Sequence, residues 1–269
     1  MAEHAFTALE LEGFRATAVT AAHAAGAILL EQFEHIERAA VRSKTAARDL
    51  VTAADVAAER VIVEHLRRAC PTHAIEAEEE VRDALDRRPR WFVDPLDGTV
   101  NFVHGIPVFS VSIGLYDGET PLVGVVHAPR LGETFTARRG GGAFLGTKSI
   151  RVSDATQLSE CVLATGFPYR RNELPNNNVA NFDRLILEIR GIRRMGSAAI
   201  DLAYVAAGRL DGYWELHLSP HDVAAGALLV REAGGIVTDV DGGDTWLRAG
   251  HVVAGGARIV EALRPRLRA

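Results

Sequence analysis

The stretch with the clearest chemical potential runs from Trp91 to Phe102 and reads WFVDPLDGTVNF. Its first three residues are apolar, and two aspartates, Asp94 and Asp97, follow them. Two carboxylates held this close repel each other unless a cation joins them. Mg²⁺ prefers carboxylate, backbone carbonyl and water oxygens, and the turn between the two aspartates can offer all three. The pattern therefore indicates a magnesium site at the end of a buried strand.

The next two residues, Gly98 and Thr99, indicate an anion site beside the expected cation. At the start of a short helical turn, their backbone N–H groups have no partner within the helix, which suits phosphate oxygens. An ordinary turn is the alternative for a bare D-x-x-D-G pattern, because Asp starts turns and Gly completes them.

Further carboxylates can complete such a site. Glu78 and Glu79 lie in the segment EAEEE ahead of the strand, and Asp222 lies at the expected start of a helix. Each has a structural alternative, since glutamates can form a solvated face and an aspartate can cap a helix. Together they suggest a metal site built from several carboxylates.

Two helices are expected ahead of this strand. Residues 6–33 are rich in alanine, free of proline and apolar at helical spacing, which predicts one long helix. Thr52 and Asp55 form a capping-box pattern that predicts a second helix ending at Cys70. The mixed segment 34–49 between them is expected to be a loop or an irregular hairpin.

The order of elements after the strand predicts the fold class. Residues 107–144 alternate β-rich runs with turn signals, which indicates an antiparallel meander. The second half alternates strands and helices, so we expect a layered α/β (α+β) protein and no single doubly wound sheet. We predict an N-terminal lobe, 1–147, with helices, the antiparallel sheet and most metal ligands, and a C-terminal α/β lobe, 148–269, with Asp222.

Composition excludes several classes of function. The net charge is −5, from 35 acidic and 30 basic side chains, so nucleic acid is not an expected partner. Cys70 and Cys161 have no metal-ligand spacing, and no signal-peptide pattern is present, so a reducing, cytoplasmic location is expected. No apolar run was found to reach the roughly 20 residues that cross a bilayer, so no membrane association is expected.

Together these motifs resemble the inositol monophosphatase family of Mg²⁺-dependent, lithium-inhibitable sugar-phosphate phosphatases. The resemblance spans nearly the whole chain. It rests on DLVTAAD (49–55), EAEEE (76–80), DPLDGTVNF (94–102), GSAAIDLAYVAAGRLDGYWE (196–215) and HDVAAG (221–226). The resemblance implies an αβαβα sandwich, a homodimer, two or more Mg²⁺ ions per active site, and a small sugar or polyol phosphate as substrate.

The resemblance also implies a role for individual residues. The implied metal ligands are Glu78, Asp94, the carbonyl of Leu96, Asp97 and Asp222. The implied catalytic residues are Glu78 together with Asp55 and Thr99, a pair that orients and deprotonates the attacking water. The implied phosphate-binding residues are Gly98 and Thr99. The implied substrate contacts are Asp97, Gly196, Ser197, Ala198 and Glu215.

The chain departs from the family pattern at two positions. His221 stands where the family usually has Trp, and it either lines the sugar pocket or merely packs. Ala77 stands where Gly commonly precedes the paired glutamates, which leaves the register of Glu78 against Glu79 open.

The expected activity is hydrolysis of inositol-1-phosphate to inositol and phosphate by a metal-activated water. Related alternatives are a fructose-1,6-bisphosphatase, a histidinol-phosphatase and a nucleotide 3′-phosphatase. A bisphosphate would need extra cations, for which Arg170, Arg171, Arg193 and Arg194 are candidates if they are not simply solvated. A regulatory or scaffold protein with vestigial activity is the alternative from another class.

Overall fold

The computed structural model describes residues 6–35, 42–43 and 50–269. The helices are α1 (Ala8–Phe33), α2 (Ala53–Ala69), α3 (Thr99–Val103), α4 (Val179–Ile186), α5 (Ala198–Ala206), α6 (Pro220–Glu232), α7 (Trp246–Ala249) and α8 (Ala257–Leu263). The strands are β1 (Arg42–Ser43), β2 (Leu50–Val51), β3 (Ala74–Ala77), β4 (Arg90–Asp97), β5 (Ser110–Asp117), β6 (Thr120–Ala128), β7 (Glu133–Arg138), β8 (Gly142–Leu145), β9 (Lys148–Ile150), β10 (Val162–Thr165), β11 (Gly191–Arg193), β12 (Gly212–Glu215), β13 (Ile236–Thr238) and β14 (Val252–Gly255).

Capping boxes set the starts of α1 and α2. Thr7 caps α1, with the N–H of Glu10 donating to its hydroxyl at 3.2 Å. Thr52 caps α2, and its own N–H donates to Asp55 Oδ2 at 2.8 Å. Each box pairs N–H groups that lack a partner inside the helix. Both predicted helices are therefore confirmed, with α1 starting two residues later than expected.

The N-terminal part of the chain builds a seven-stranded sheet. Its strand order is β3-β4-β5-β6-β7-β8-β9, and only β3 pairs in parallel, with β4. From β4 to β9 each strand pairs antiparallel with the next, which confirms the predicted meander. A second sheet of five strands has the order β11-β10-β12-β14-β13.

Helices fill the spaces around the two sheets. On one face of the first sheet, α1 and α2 pack with Trp91 and Val93. On its other face, α5 and α6 pack with Phe92 and also contact the second sheet. Beyond the second sheet, Leu185 of α4 and Ile259 of α8 share a core with Trp214. The layers follow the order αβαβα, so the predicted sandwich is confirmed.

Helix α1 is long and apolar enough, by length and mean hydropathy, to cross a membrane, and it is the one such helix in the described ranges. A membrane-length apolar run was not expected from the sequence, because polar residues such as Thr20 and His23 interrupt the apolar residues of this helix. Ala18, Ala22, Ala25 and Leu29 of this helix are fully buried against the rest of the fold. A third of the tested window is buried, and both the core helix of a soluble protein and a signal sequence near the N-terminus pass the same test.

Two expectations about chain organisation stay predictions. The boundary between residues 147 and 148 falls just before β9, the last strand of the first sheet, and α6 from the second half packs against β5 and β6. In the predicted loop or hairpin, β1 pairs antiparallel with β2. The rest of that segment beyond residue 35, including Asp49, lies outside the described residues.

Close contact between α6 and the first sheet depends on Gly124 of β6. A Cβ atom at this position would lie 2.6 Å from the carbonyl oxygen of Ala225, so there is no room for one. We expect Gly124→Ala to lower the free energy of unfolding by about 1–3 kcal/mol, as overpacking does. Denaturant unfolding followed by circular dichroism measures the change.

Gly13 provides the matched control. It lies on an exposed position of α1, and a Cβ atom there would meet nothing within 4 Å. Gly13→Ala should be neutral or raise the free energy of unfolding by up to about 1 kcal/mol, because alanine loses less backbone entropy in a helix. Equal destabilisation by both substitutions would contradict the close packing of α6.

Candidate active site

Strand β4 brings its two aspartates to the same side of the sheet. All eight of its residues are buried. Asp94 lies opposite Ser112 and Asp97 opposite Ser110, so β4 advances three residues where β5 advances two, which is a β-bulge in β4. Side chains alternate between the two faces of a strand, so residues three positions apart normally face opposite sides. One extra residue in β4 lets Asp97 face the same side as Asp94. This bulge lets both carboxylates line one cleft.

That cleft has a volume of about 370 Å³ and is called the acidic cleft here. Four predicted metal-binding side chains line it and form what we call the acidic cluster: Glu78, Asp94, Asp97 and Asp222. The other predicted residues along its wall are Leu96, Gly98, Thr99, Gly196, Ser197, Ala198 and Glu215. The structure therefore brings together residues from three strand ends (β3, β4 and β12) and three helix starts (α3, α5 and α6).

The acidic cluster is a costly place for negative charge. Burial raises the pKa of the Asp94 carboxyl well above its ordinary value, and the charges of the other three members raise it further. Burial and the charge of Asp222 raise the pKa of Asp97 to about 7. Asp94 is 2% and Asp97 8% exposed, so water offers them little solvation. A proton or a cation must offset their charge.

The donor set of the cluster fits a hard cation. All its side-chain donors are carboxylate oxygens, which Mg²⁺ prefers. In the described residues, no group of three or more His, Cys, Asp or Glu side chains is already arranged to hold a metal ion. A side-chain hydrogen bond joins Asp94 to Glu78, which requires a shared proton. In their charged form, these four side chains of the cleft wall are ones that would hold Mg²⁺.

The N-terminus of α5 holds the carboxylate of Asp97. Ser197 Oγ donates to Asp97 Oδ2 at 2.6 Å, and the N–H of Ala199 donates to the same oxygen at 2.7 Å. The N–H of Ala198 donates to Oδ1 at 3.3 Å. These bonds and the positive end of the helix favour the charged carboxylate. Ser197 and Ala198, predicted to contact substrate, thus also orient a predicted metal ligand.

Thr99 and Asp55 lie within hydrogen-bonding distance of each other. Thr99 Oγ1 is 3.2 Å from Asp55 Oδ1 and 3.1 Å from the carbonyl oxygen of Leu96. Asp55 is fully buried behind the wall of the cleft, and its Oδ2 accepts from the N–H and the hydroxyl of Thr52. The carboxylate is therefore fixed in place by its helix cap, with one oxygen turned to Thr99.

Gly98 is required by its backbone conformation and by its neighbours. Its φ is +100°, in the left-handed region, and a Cβ atom would lie 3.1 Å from the carbonyl oxygen of Val108 and 3.2 Å from that of Gly196. Glycine alone tolerates both. Helix α3 starts at the next residue, which confirms the short helical turn predicted there.

Asp222 caps its helix and lines the acidic cleft at once. Its Oδ2 accepts from the N–H of Ser219 at 2.6 Å, so the capping alternative and the cleft position both hold. His221 also lines the cleft, with Nε2 3.7 Å from Asp222 Oδ1. Of the paired glutamates, Glu78 is the one on the cleft wall, which answers the question of register.

Glu215 and the arginines shape another part of the wall. Burial raises the pKa of Glu215 to about 7, while the hydroxyl of Tyr213 donates to its Oε2 at 2.7 Å. Among the four candidate arginines, Arg194 lines the cleft. Arg170 pairs with Glu173 at 2.8 Å, and Arg193 donates to the carbonyl of Ile192.

Sequence reasoning missed Glu59, whose buried carboxylate holds the turn that carries Glu78. It accepts from the N–H groups of Glu79, Glu80 and Val81 at 2.7, 2.8 and 2.9 Å. The available signal was its spacing, one helical turn after Asp55 on the apolar face of α2.

Asp201 and Tyr169 were also missed. Asp201 is buried, its Oδ1 meets no hydrogen-bond donor within the described ranges, and burial and the charge of Glu215 raise its pKa well above the ordinary value. Tyr169 lines the acidic cleft from a loop. Neither lies in a pattern that distinguishes it before the loop and α5 are placed.

Fold and site together define a layered αβαβα protein with several carboxylates around a cleft beside a helix start. The model of the inositol monophosphatase family matches residues 10–268, and the chain belongs to this family. Members of the family are generally metal-dependent.

Known relatives and solved structures agree with this assignment. The chain is 46% identical over 248 residues to an inositol-1-monophosphatase of Rhizobium meliloti, covering 91% of this chain and 92% of that one. It is 46% identical over 257 residues to a protein of Pseudomonas aeruginosa named Nus factor SuhB, with the same coverage. The structure of an inositol monophosphatase from Anabaena (Nostoc) superposes with a TM-score of 0.87 at 42% identity over 96% of both chains.

The contacts of Glu59 make its charge testable. Glu59→Gln replaces one acceptor oxygen by an NH₂ group that faces backbone donors, so we expect the free energy of unfolding to fall by about 1–3 kcal/mol. Glu64→Gln on the same helix is the control, because Glu64 is exposed and pairs with Arg68 on the surface. Urea unfolding compares the two, and equal effects would show that Glu59 is not the anchor of this turn.

Proposed function

We propose that this protein is a Mg²⁺-dependent phosphatase that hydrolyses a small polyol phosphate monoester, and inositol-1-phosphate in particular. The observation that supports the proposal is the convergence of the four carboxylates of the acidic cluster beside the start of α3. Carboxylates that carry an energetic cost in the apo protein suit a site completed by cations and by an anionic substrate.

In this proposal the acidic cluster holds two Mg²⁺ ions. Glu78, Asp94 and the carbonyl of Leu96 bind one, and Asp94, Asp97 and Asp222 bind the other. Bound Mg²⁺ makes a water molecule more acidic and offsets negative charge that develops on phosphoryl oxygens. The carbonyl oxygen of Leu96 lies 3.1 Å from Thr99 Oγ1, and when the Thr99 proton points to Asp55 its lone pairs are open to a cation.

Thr99 and Asp55 position the attacking water. Thr99 Oγ1 can accept a hydrogen bond from the water while its own proton points to Asp55 Oδ1, 3.2 Å away. Asp55 can then take that proton as the water loses its own to Thr99. The N–H groups at Gly98 and Thr99 hold the phosphate oxygens during attack.

Glu215 and the turn before α5 receive the polyol. The carboxylate of Glu215 accepts hydrogen bonds from sugar hydroxyls, and Tyr213 holds it in place at 2.7 Å. Gly196 to Ala198 lie along the same wall. Because this turn also holds the carboxylate of Asp97, the same residues position both a substrate contact and a metal ligand.

The charges along the wall favour a monophosphate over a bisphosphate. The charge of Arg194 lowers the pKa values of both Glu215 and Asp201, so this arginine already interacts with two carboxyl groups. Arg170 is already paired with Glu173. A second phosphate, as in fructose-1,6-bisphosphate, would need a cation with less competition.

A second role in a macromolecular assembly is the alternative function. Its support is the similarity to proteins named Nus factor SuhB, 46% identical in Pseudomonas aeruginosa and 43% identical in Escherichia coli. A homodimer, inhibition by lithium and a cytoplasmic location are further proposals that follow from family resemblance and from the sequence expectations above.

A substrate panel with and without Mg²⁺ tests the proposed function. We expect inositol-1-phosphate to give the highest kcat/KM among inositol-1-phosphate, fructose-1,6-bisphosphate, histidinol phosphate and a nucleoside 3′-phosphate, and exhaustive chelation to abolish turnover.

Asp94→Asn should lower kcat by about 100-fold or more while the fold persists, because it removes a ligand and some like-charge repulsion.

Asp244→Asn is the control for that substitution. Its carboxylate is 86% exposed and pairs with Arg231 on the surface, so activity should not change. Undiminished hydrolysis after chelation would refute the metal role. Inactivity on every phosphate with Mg²⁺ present would favour the assembly role instead.

A further inference from the structure

The loop after β10 places a tyrosine in the acidic cleft. Phe167, Pro168 and Tyr169 all line the cleft together with the acidic cluster. The N–H of Arg171 donates to the carbonyl of Pro168 at 3.1 Å, which closes a turn with Tyr169 as its second residue. The turn thus projects the phenol from its apex, and the residue remains 43% exposed.

Hydrogen bonds hold this loop where it starts and where it ends. The side-chain NH₂ group of Asn178 donates to Thr165 Oγ1 at 2.8 Å and to the carbonyl of Gly166 at 2.6 Å. Trp214 Nε1 donates to Asn178 Oδ1 at 2.8 Å. Asn178 thus joins the two ends of the loop to the second sheet.

A second contact ties the loop to the segment that leads into α6. His217 Nε2 lies 2.8 Å from the carbonyl oxygen of Asn176, to which its N–H donates. His217 has a φ of +63°, which a non-glycine residue adopts only when its surroundings compensate the strain. The loop is therefore coupled to the chain segment that carries Asp222.

Tyr169 lines the same cleft as the four carboxylates of the acidic cluster. Burial raises its pKa far above the ordinary value, and the charges of all four members of the acidic cluster add to the shift, with Asp222 first. Its hydroxyl therefore keeps its proton at neutral pH and is a donor. Within the part of the chain that the structure describes, this hydroxyl forms no hydrogen bond.

We propose that Tyr169 is a substrate-binding residue, whose hydroxyl donates a hydrogen bond to a phosphoryl oxygen of the bound phosphate monoester. The inference rests on the proposed function. A phosphoryl group offers only acceptor oxygens, and in the proposed function it is held at the acidic cluster, which lines the same cleft as Tyr169. A contact to the polyol, or packing by the ring alone, are the competing roles.

Binding of inorganic phosphate tests the contact without turnover. With saturating Mg²⁺, calorimetry should give a phosphate Kd about ten-fold weaker for Tyr169→Phe than for the unsubstituted protein, the loss expected for one hydrogen bond to a charged group. Tyr204→Phe is the matched control, because its hydroxyl contacts Glu133 outside the cleft at 3.2 Å. It should leave the Kd unchanged. An unchanged Kd for Tyr169→Phe would overturn the proposal.

Kinetics separate a phosphate contact from a polyol contact. We expect Tyr169→Phe to lower kcat/KM by the same factor of about ten for inositol-1-phosphate and for 4-nitrophenyl phosphate, which has no polyol. A loss confined to inositol-1-phosphate would place the hydroxyl on the polyol and overturn the proposal. Equal values for the variant and the unsubstituted protein would leave only a packing role and would also overturn it.

The proposed function can fail separately from this inference. If the unsubstituted protein binds phosphate with Mg²⁺ but does not hydrolyse inositol-1-phosphate, the substrate is wrong, and the phosphate Kd of Tyr169→Phe still decides the contact. If the unsubstituted protein does not bind phosphate at all, both proposals are refuted.

Discussion

Repulsion among the four carboxylates of the acidic cluster is the constraint on which the site depends. The fold offsets part of this repulsion through hydrogen bonds: the N-terminus of α5 donates to Asp97, and Ser219 donates to Asp222. The remainder is visible as raised pKa values of Asp94 and Asp97, because both are buried. A cation bound in the cleft would remove this cost, which is why a chain that buries these groups gains from binding one.

The four carboxylates reach the cleft from three places in the fold, namely the turn after β3, strand β4 and the start of α6, so the site exists only when the layers are assembled. The bulge in β4 aligns its two aspartates, and Glu59 of α2 holds the turn that presents Glu78. Helices α5 and α6 lie between the two sheets and bring the support of Asp97 together with Asp222. Packing of the middle layer is therefore a condition for any metal chemistry at this site.

Local patterns in the sequence predicted α1, α2, the meander, and the carboxylates and Gly-Thr pair of the cleft, whereas the contacts at 196–198 and Glu215 were implied by the family resemblance. The capping boxes, the apolar residues before Asp94 and the Gly-Thr pair depend on neighbours within a few positions. Glu59 could not be placed in this way, since its partners lie twenty or more residues away. Tyr169 depends on a loop held by Asn178 and Trp214, contacts that no periodicity encodes.

The effect of Mg²⁺ on the thermal midpoint at pH 6 and pH 8, at constant ionic strength, tests the central claim most directly. The pKa of Asp97 is raised from an ordinary 3.8 to about 7, so its carboxyl group is mostly protonated at pH 6 and mostly charged at pH 8. Without metal, the folded state therefore loses stability as the pH rises through 7. Mg²⁺ takes the place of the lost protons. The account predicts a larger increase in Tm with Mg²⁺ at pH 8 than at pH 6; an equal increase at both, or none, would contradict it.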